Sequence, residues 1–380
     1  MITVVEGELT HYRVPVYRRL QERLGEPIVV YHGRPAPGSG LNTIEPGEDV
    51  GFPHEILPGR WLANGRFHVT NPSRVLRRDS RAAILRHSVR DPTFLPMMMA
   101  LRAKGTRVVV WGQGYSRNRP FRPDRRPGDW LHLLIVRASD AYVCYTEAIR
   151  AALARHVPAD KLFVARNTLD TGRLSVLRRE LERAGRESTR AELGLNPRGD
   201  YVSFIGRLQA RKRPEVLLEA QRLLRDEGIR FEALFIGDGP KRAELEARAS
   251  ELGLEGSVHF VGERYGDEAA RYLFASDVMA MPGWLGLAVV HAFAMGVPVV
   301  SQLTGKPDLI GHPPEAAYVR DGVNGRMAAP GGPREFAAAL KSVLAERARL
   351  GRGAAEFADR ELSLDGMVDG FVAAVSHATG

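Results

Sequence analysis

In the second half of the chain, short continuous apolar runs alternate with stretches whose apolar residues recur every three or four positions. YVSFIG (201–206), FEALFIG (231–237), VHFVG (258–262), VMAMP (278–282) and VPVVSQ (297–302) read as strands buried on both faces. Between them lie helical patterns. PEVLLEAQRLLRDEG places Val216, Leu217, Ala220, Leu223 and Leu224 on one face and closes at Gly228. Pro240 opens KRAELEARASELGL, and DEAARYLFASD and LAVVHAFAMG follow the third and fourth strands. Strand–helix alternation at this pitch predicts a doubly wound parallel sheet.

The first half repeats this grammar less cleanly. ITVVEG, PIVVYHG, RVVVWGQG and AYVCYT are its strand candidates, with the amphipathic RVPVYRRLQERLG between the first two. Residues 34–66 are rich in Pro and Gly with little periodicity, which predicts a long irregular loop. These patterns divide the chain into a first domain (1–176), a second domain (177–361) and a last helix (362–380) able to pack back on the first domain. No internal repeat appears beyond the shared α/β plan.

Composition narrows the class. The apolar share is 44%, which excludes disorder and fibrous folds. No run approaches the ~20 apolar residues of a membrane-spanning helix. The opening MITVVEGELTHYRVP lacks the basic flank of a secretory signal, and Cys144 stands alone, so a protein of a reducing, cytoplasmic compartment is expected. The formal charge of +9 rests on 48 Arg and 6 Lys, a bias toward Arg. The first 175 residues hold 27 basic against 16 acidic residues; the rest hold 27 against 29. Such asymmetry implies two domains with different partners.

Ligands of open parallel sheets bind at the carboxyl ends of strands, so the segments after each strand carry the chemistry. GRLQARKRPE follows the first strand and places Arg207, Arg211, Lys212 and Arg213 within seven residues. Fixed cations there suit a diphosphate, which needs short charge-assisted bonds; the alternative is a solvated basic loop. GDGP follows the second strand as a glycine turn at Gly237. After the fourth strand, Gly286 and Leu287 lead a helix whose free N–H groups can hold an anion, with His291 one turn inside.

GRLQARKRPEVLLEA, FIGDGPKRAELE, VHFVG and MPGWLGLAVVHAFAMGVPVV, in this order and spacing, resemble the donor-binding half of glycosyltransferase family 4. The resemblance covers roughly 200–330 and extends more weakly to LFVARNTLD (162–170) and HYRVPVYRRL near the start. It implies an α/β protein of GT-B fold, two Rossmann-like doubly wound parallel-sheet domains facing across a cleft. It further implies a retaining transferase that moves a hexose-type sugar from a nucleotide diphosphate donor, UDP- or GDP-linked, to a hydroxyl acceptor. No cofactor and no metal are implied. Arg207 and Lys212 fall on the family's basic pair that neutralises the leaving diphosphate. Gly206, Gly237, Gly286 and Leu287 fall on donor-contacting turns, and Arg264 follows the strand near which the base is held.

The family's hallmark pair of Glu is absent, with Gly283 and His291 in those positions. This implies a variant subgroup in which His291 bonds a ribose and Gly283 leaves room beside the sugar. Glu315, in HPPEAAYVRDGVNG, is a surviving carboxylate on the family's next segment; a helix-initiating role is the alternative. In the first domain, Gln113 of WGQG stands where relatives often carry His. An amide is no general base, so Gln113 would position a hydroxyl or the donor sugar. His11, His32 and His87 are rival polar groups. His11, Arg13 and Arg117 are acceptor-side candidates.

The segment YSRNRPFRPDRRPGDW (115–130), with five Arg and three Pro, is expected to be extended. It reads either as an arm for an anionic acceptor or acidic membrane surface, or as an exposed loop. The excess positive charge of the first half favours an anionic or membrane-associated acceptor, with peripheral attachment at the inner membrane face. Rival functions are a sugar-nucleotide epimerase, a pseudo-glycosyltransferase joining non-sugar rings, and a non-catalytic GT-B partner subunit. A nucleic-acid binder is set aside for want of any recognised motif. The oligomeric state is not readable.

Overall fold

The computed structural model describes residues 1–36, 43–63, 67–116, 119–306 and 311–380. The chain forms two compact units. The first comprises Met1–Ser116, Pro120–Leu169 and Leu364–Gly380; the second is built on Asp170–Ser363. The helix Thr171–Ala184, which the sequence pattern divides at residue 176, lies whole in the second unit.

The first unit holds β1 (Ile2–Glu8), β2 (Ile28–Gly33), β3 (His54–Ile56), β4 (Gly59–Leu62), β5 (Phe67–Thr70), β6 (Ala82–Arg86), β7 (Arg107–Gly112), β8 (Ala141–Cys144) and β9 (Leu162–Val164). Seven of them form a parallel sheet in the order β3-β2-β1-β6-β7-β8-β9, while β4 and β5 pair as an antiparallel hairpin. The expected irregular loop over 34–66 is therefore partly strand. β3 joins β2 through backbone bonds, and its half-exposed side chains HEI carry no apolar pattern. β6 also escapes the pattern, although Ala82–Leu85 are fully buried at the centre of the sheet.

The segment expected to be extended at 115–130 is helical at its end. Pro127 opens the helix Pro127–Ala138, where its fixed φ suits the first turn. Asp129 in that turn accepts from the Arg122 N–H at 2.9 Å.

The last helix, Leu364–Thr379, belongs to the first unit and supplies Met367, Val368, Phe371, Ala374 and Val375 to its core. Phe371 meets Trp111 edge to face at 5.3 Å. Gly370 is required by packing, because a Cβ there would collide with the Val164 carbonyl. Among the described residues no helix is long and apolar enough to cross a membrane.

The second unit holds β10 (Tyr201–Ile205), β11 (Glu232–Ile236), β12 (Val258–Gly262), β13 (Val278–Met281), β14 (Val299–Gln302) and β15 (Gly325–Ala328), all parallel in the order β12-β11-β10-β13-β14-β15. The strand order reverses between β10 and β13. Loops leaving adjacent strands diverge at such a point and open a ligand crevice. The segments after β10 and β13 are the basic loop and the Gly286–Leu287 turn singled out above.

Opposite that end, the buried Asp277 ties the helix Arg186–Glu192 to the sheet. Its Oδ2 accepts from Arg190 Nη2 and from the Tyr201 N–H, both at 2.8 Å, and Arg190 is itself only 6% exposed. Removing one partner of a buried pair strands the other charge. Asp277→Ala is therefore expected to destabilise the second unit by about 3 kcal/mol. A calorimetric transition moved by less than about 1 kcal/mol would contradict this role.

Candidate functional site

The loop after β10 begins at Gly206, whose φ of +115° suits glycine alone. A Cβ at Gly206 would strike Lys212 Nζ, and one at Gly237 would strike the Gly206 carbonyl. The two turns thus approach backbone to backbone with the lysine folded over them. Burial, with Arg211 beside it, pushes Lys212 down to about 8. Its Nζ reaches the Ile205 carbonyl at 3.4 Å, and no carboxylate pairs with it among the described residues. Arg207 is exposed and equally without an acidic partner there. Arg213 differs: in the left-handed region (φ +52°), it donates from Nη1 to Gln302 at 2.8 Å and braces the end of β14. The basic run therefore separates into cations open to a ligand and one structural brace.

The turn after β13 closes on this loop. The Gly283 N–H donates to the Lys212 carbonyl and the Trp284 N–H to the Arg211 carbonyl, both at 3.0 Å. The Arg211 guanidinium lies 5.7 Å from the centre of the Trp284 ring. A Cβ on Gly283 would run into the Arg211–Lys212 backbone. Gly283 therefore does not leave room beside a sugar, as the sequence suggested; the basic loop fills that direction. Gly286 (φ +57°) turns the chain, and Leu287 precedes the helix Ala288–Ala294. Within it, burial pushes His291 down to about 4, with Asp267 opposing and Arg173 assisting. The imidazole is neutral at pH 7 and can both donate and accept.

Other donor-side candidates sit in more committed surroundings. Arg264 Nε lies 3.1 Å from Glu268 Oε1. Glu315 is buried (5% exposed) in the short 3-10 turn Pro314–Tyr318.

In the first unit, Gln113 follows β7 between Gly112 and Gly114. A Cβ at Gly112 would come within 2.9 Å of His87 Cβ, and one at Gly114 within 2.8 Å of Leu153. His87 Nδ1 bonds Tyr142 Oη and its Nε2 bonds His132 Nδ1, both at 2.9 Å. Burial and then His132 hold His87 well below the usual histidine range, so it is neutral. Sequence reasoning missed His132 and Tyr142, because the three residues meet from β6, β8 and a helix. His32 pairs with His54 at 3.2 Å, and burial pushes it down to about 4.

The acceptor-side candidates part ways. His11 is exposed, 3.6 Å from Glu48. Arg13 is not available to an acceptor: only 6% exposed, it donates to Asn167 Oδ1 at 2.5 Å and lies 4.7 Å from the Trp111 ring centre. Arg117 falls outside the described residues. Cys144 is buried, its thiol pushed up to about 12, which leaves it unreactive.

Comparison with known proteins bears on the fold. Residues 199–346 match the family Glycosyl transferases group 1. The chain is 32% identical over 233 residues to a D-inositol 3-phosphate glycosyltransferase of Rhodococcus opacus (strain B4), covering 58% of this chain and 49% of that one. It thus spans about half the length of the curated relatives it matches. Among solved structures, it resembles Anabaena Alr3699/HepE in complex with UDP, with a TM-score of 0.69 at 17% identity and 99% of both chains covered. A glycosyltransferase from Rickettsia africae ESF-5 gives a TM-score of 0.72 at 13% identity, covering 99% of this chain and 97% of that one. The fold is GT-B, with two Rossmann-like parallel-sheet domains.

The unpaired ammonium carries a measurable cost. Below about pH 8 both folded and unfolded Lys212 are protonated, and the folded state bears the full penalty of the withdrawn charge. As pH rises from about 8 to 10.5, the folded group has lost its proton while the unfolded one keeps it, and the penalty fades. Lys212→Met is therefore expected to stabilise the ligand-free protein on the order of 2 kcal/mol at pH 7. The gain should shrink toward pH 10.5 in urea denaturation; a loss of stability at pH 7 would refute it.

Proposed function

We propose that this protein is a retaining, metal-independent glycosyltransferase that moves a hexose-type sugar from a nucleoside diphosphate sugar to an acceptor hydroxyl. The observation that carries the reading is Lys212: a partly withdrawn ammonium with no carboxylate partner among the described residues, beside the exposed Arg207, at the switch point of the second sheet. A diphosphate supplies the missing anion. Charge that grows on the leaving phosphate as the glycosidic bond breaks is then met by cations already in place. The match of residues 199–346 to Glycosyl transferases group 1 supports the same chemistry. A structural neighbour in complex with UDP-glucose, at a TM-score of 0.65, supports uridine as the nucleotide.

The other roles follow from chemistry. The backbone at Gly206, Gly237, Gly286 and Leu287 approaches the phosphates, and the neutral His291 bonds ribose hydroxyls without adding charge. Arg264 exchanges its pairing with Glu268 for the base, and Glu315 receives sugar hydroxyls. Gln113 orients the acceptor. The acceptor hydroxyl attacks from the face the diphosphate leaves, and its proton passes to the departing phosphate oxygen. The positive excess of the first 175 residues supports an anionic or membrane-associated acceptor.

Thermal denaturation with UDP, GDP, ADP and their glucose conjugates tests this. A saturating nucleotide at a hundred times its Kd is expected to add ~2.7 kcal/mol. Lys212→Met should abolish the shift, and Arg207→Ala should weaken binding about tenfold, equivalent to ~1.4 kcal/mol. Indifference to every nucleotide would refute the reading.

A further inference from the structure

A cavity of about 1060 Å³ opens in the first unit at the carboxyl ends of β2 and β3, roofed by the β4–β5 hairpin. Its size suits a ligand larger than a single small ion. The hairpin is anchored there by Trp61, whose indole N–H donates to the Arg34 carbonyl at 3.1 Å. Across the hairpin, the Trp61 ring lies over His68 with centroids 4.7 Å apart. His68 is held in turn by Gly33 and Gly59, where a Cβ would come within 3.0 Å of its ring. Its Nδ1 meets Thr70 Oγ1 at 3.1 Å. The aromatic wall is thus held in place before any ligand arrives.

The polar lining is unbalanced. Among the described residues its three arginines face one carboxylate, Glu55, which Arg74 already engages at 3.2 Å. Arg78, outside the lining, lies 3.7 Å from the same Glu55. Arg34 and Arg60 are exposed and have no acidic partner among the described residues. Asn71 accepts from the Ser73 N–H through Oδ1, which leaves its amide N–H groups available. A fixed aromatic ring offers a flat apolar face to the C–H side of a sugar. Free guanidinium forks match carboxylate or phosphate oxygens in pairs.

We propose that this cavity binds an anionic carbohydrate, its ring against Trp61 and its phosphate or carboxylate against Arg34 and Arg60. Identifying that ligand as the acceptor rests on the transfer reaction proposed above; the binding itself does not.

The test is tryptophan emission of the intact protein, titrated with glucose 6-phosphate, glucuronate, glucose and inorganic phosphate. Glucose 6-phosphate and glucuronate are expected to saturate the signal at concentrations at least about tenfold below glucose, and glucose 6-phosphate below phosphate. Trp61→Phe should remove the signal. Arg60→Ala, at an exposed hairpin position, should weaken both charged sugars about tenfold and leave the UDP-induced thermal shift unchanged. The proposal is overturned if glucose binds as tightly as the charged sugars, if none binds, or if Arg60→Ala has no effect. Phosphate binding as tightly as glucose 6-phosphate would reduce the cavity to an anion site and equally overturn it. Charged sugars that bind a protein indifferent to nucleotides would refute the transfer reading and uphold this one.

Discussion

Holding an ammonium out of water, with no carboxylate partner among the described residues, is the constraint that shapes the ligand end of the second unit. Lys212 folds over Gly206, Gly206 abuts Gly237, and Gly283 packs on the Arg211–Lys212 backbone. Each of these glycines stands where a side chain would displace the lysine or its loop. The loops meet because β10 is flanked by β11 and β13 in a parallel sheet, so all three chains emerge on one side. Hydrogen bonds from Gly283 and Trp284 to the basic loop then fix the cation's place. The site is preorganised by main chain, and its charge waits on a ligand.

The same burial that makes a strand visible in sequence explains which strands were legible. β10, β11 and β13 are covered on both faces, so their residues form apolar runs interrupted only by the buried Ser203 and, at the start of β11, Glu232. β15 (GRMA) has no such run, although it is paired along its length with β14. β6 is central and buried, yet its AAILR is short and sits between charged residues. β3 and the β4–β5 hairpin are half exposed, so backbone pairing alone defines them. The last helix was legible as separate because its apolar face begins after the second sheet's helices end. Its place in the first core came from tertiary packing through Phe371 and Gly370.

The candidate site was legible as a cluster of residue types but not as a division of labour. Four cations within seven residues look alike in sequence. The structure separates Arg213 from Lys212 through a partner, Gln302, 89 positions away. Arg13 looked like a free cation near the start, yet Asn167 and Trp111 hold it in the core. His87, His132 and Tyr142 form a chain whose members are 45 and 55 residues apart, beyond the reach of any local pattern.

The neutral residues at 283 and 291 bear on the same electrostatics. A carboxylate near Lys212 would hold its proton more tightly and would also compete for it with any incoming phosphate. With Gly283 packed on the loop and His291 held neutral, neither position opposes an anion. Burial, and then Arg211 beside it, push Lys212 down to about 8. A bound diphosphate would raise it again, and the penalty of the withdrawn charge would return as binding free energy, up to about 3 kcal/mol for a full return to the free-lysine value. Affinity gained this way is specific for anions, since a neutral ligand leaves the ammonium as costly as before.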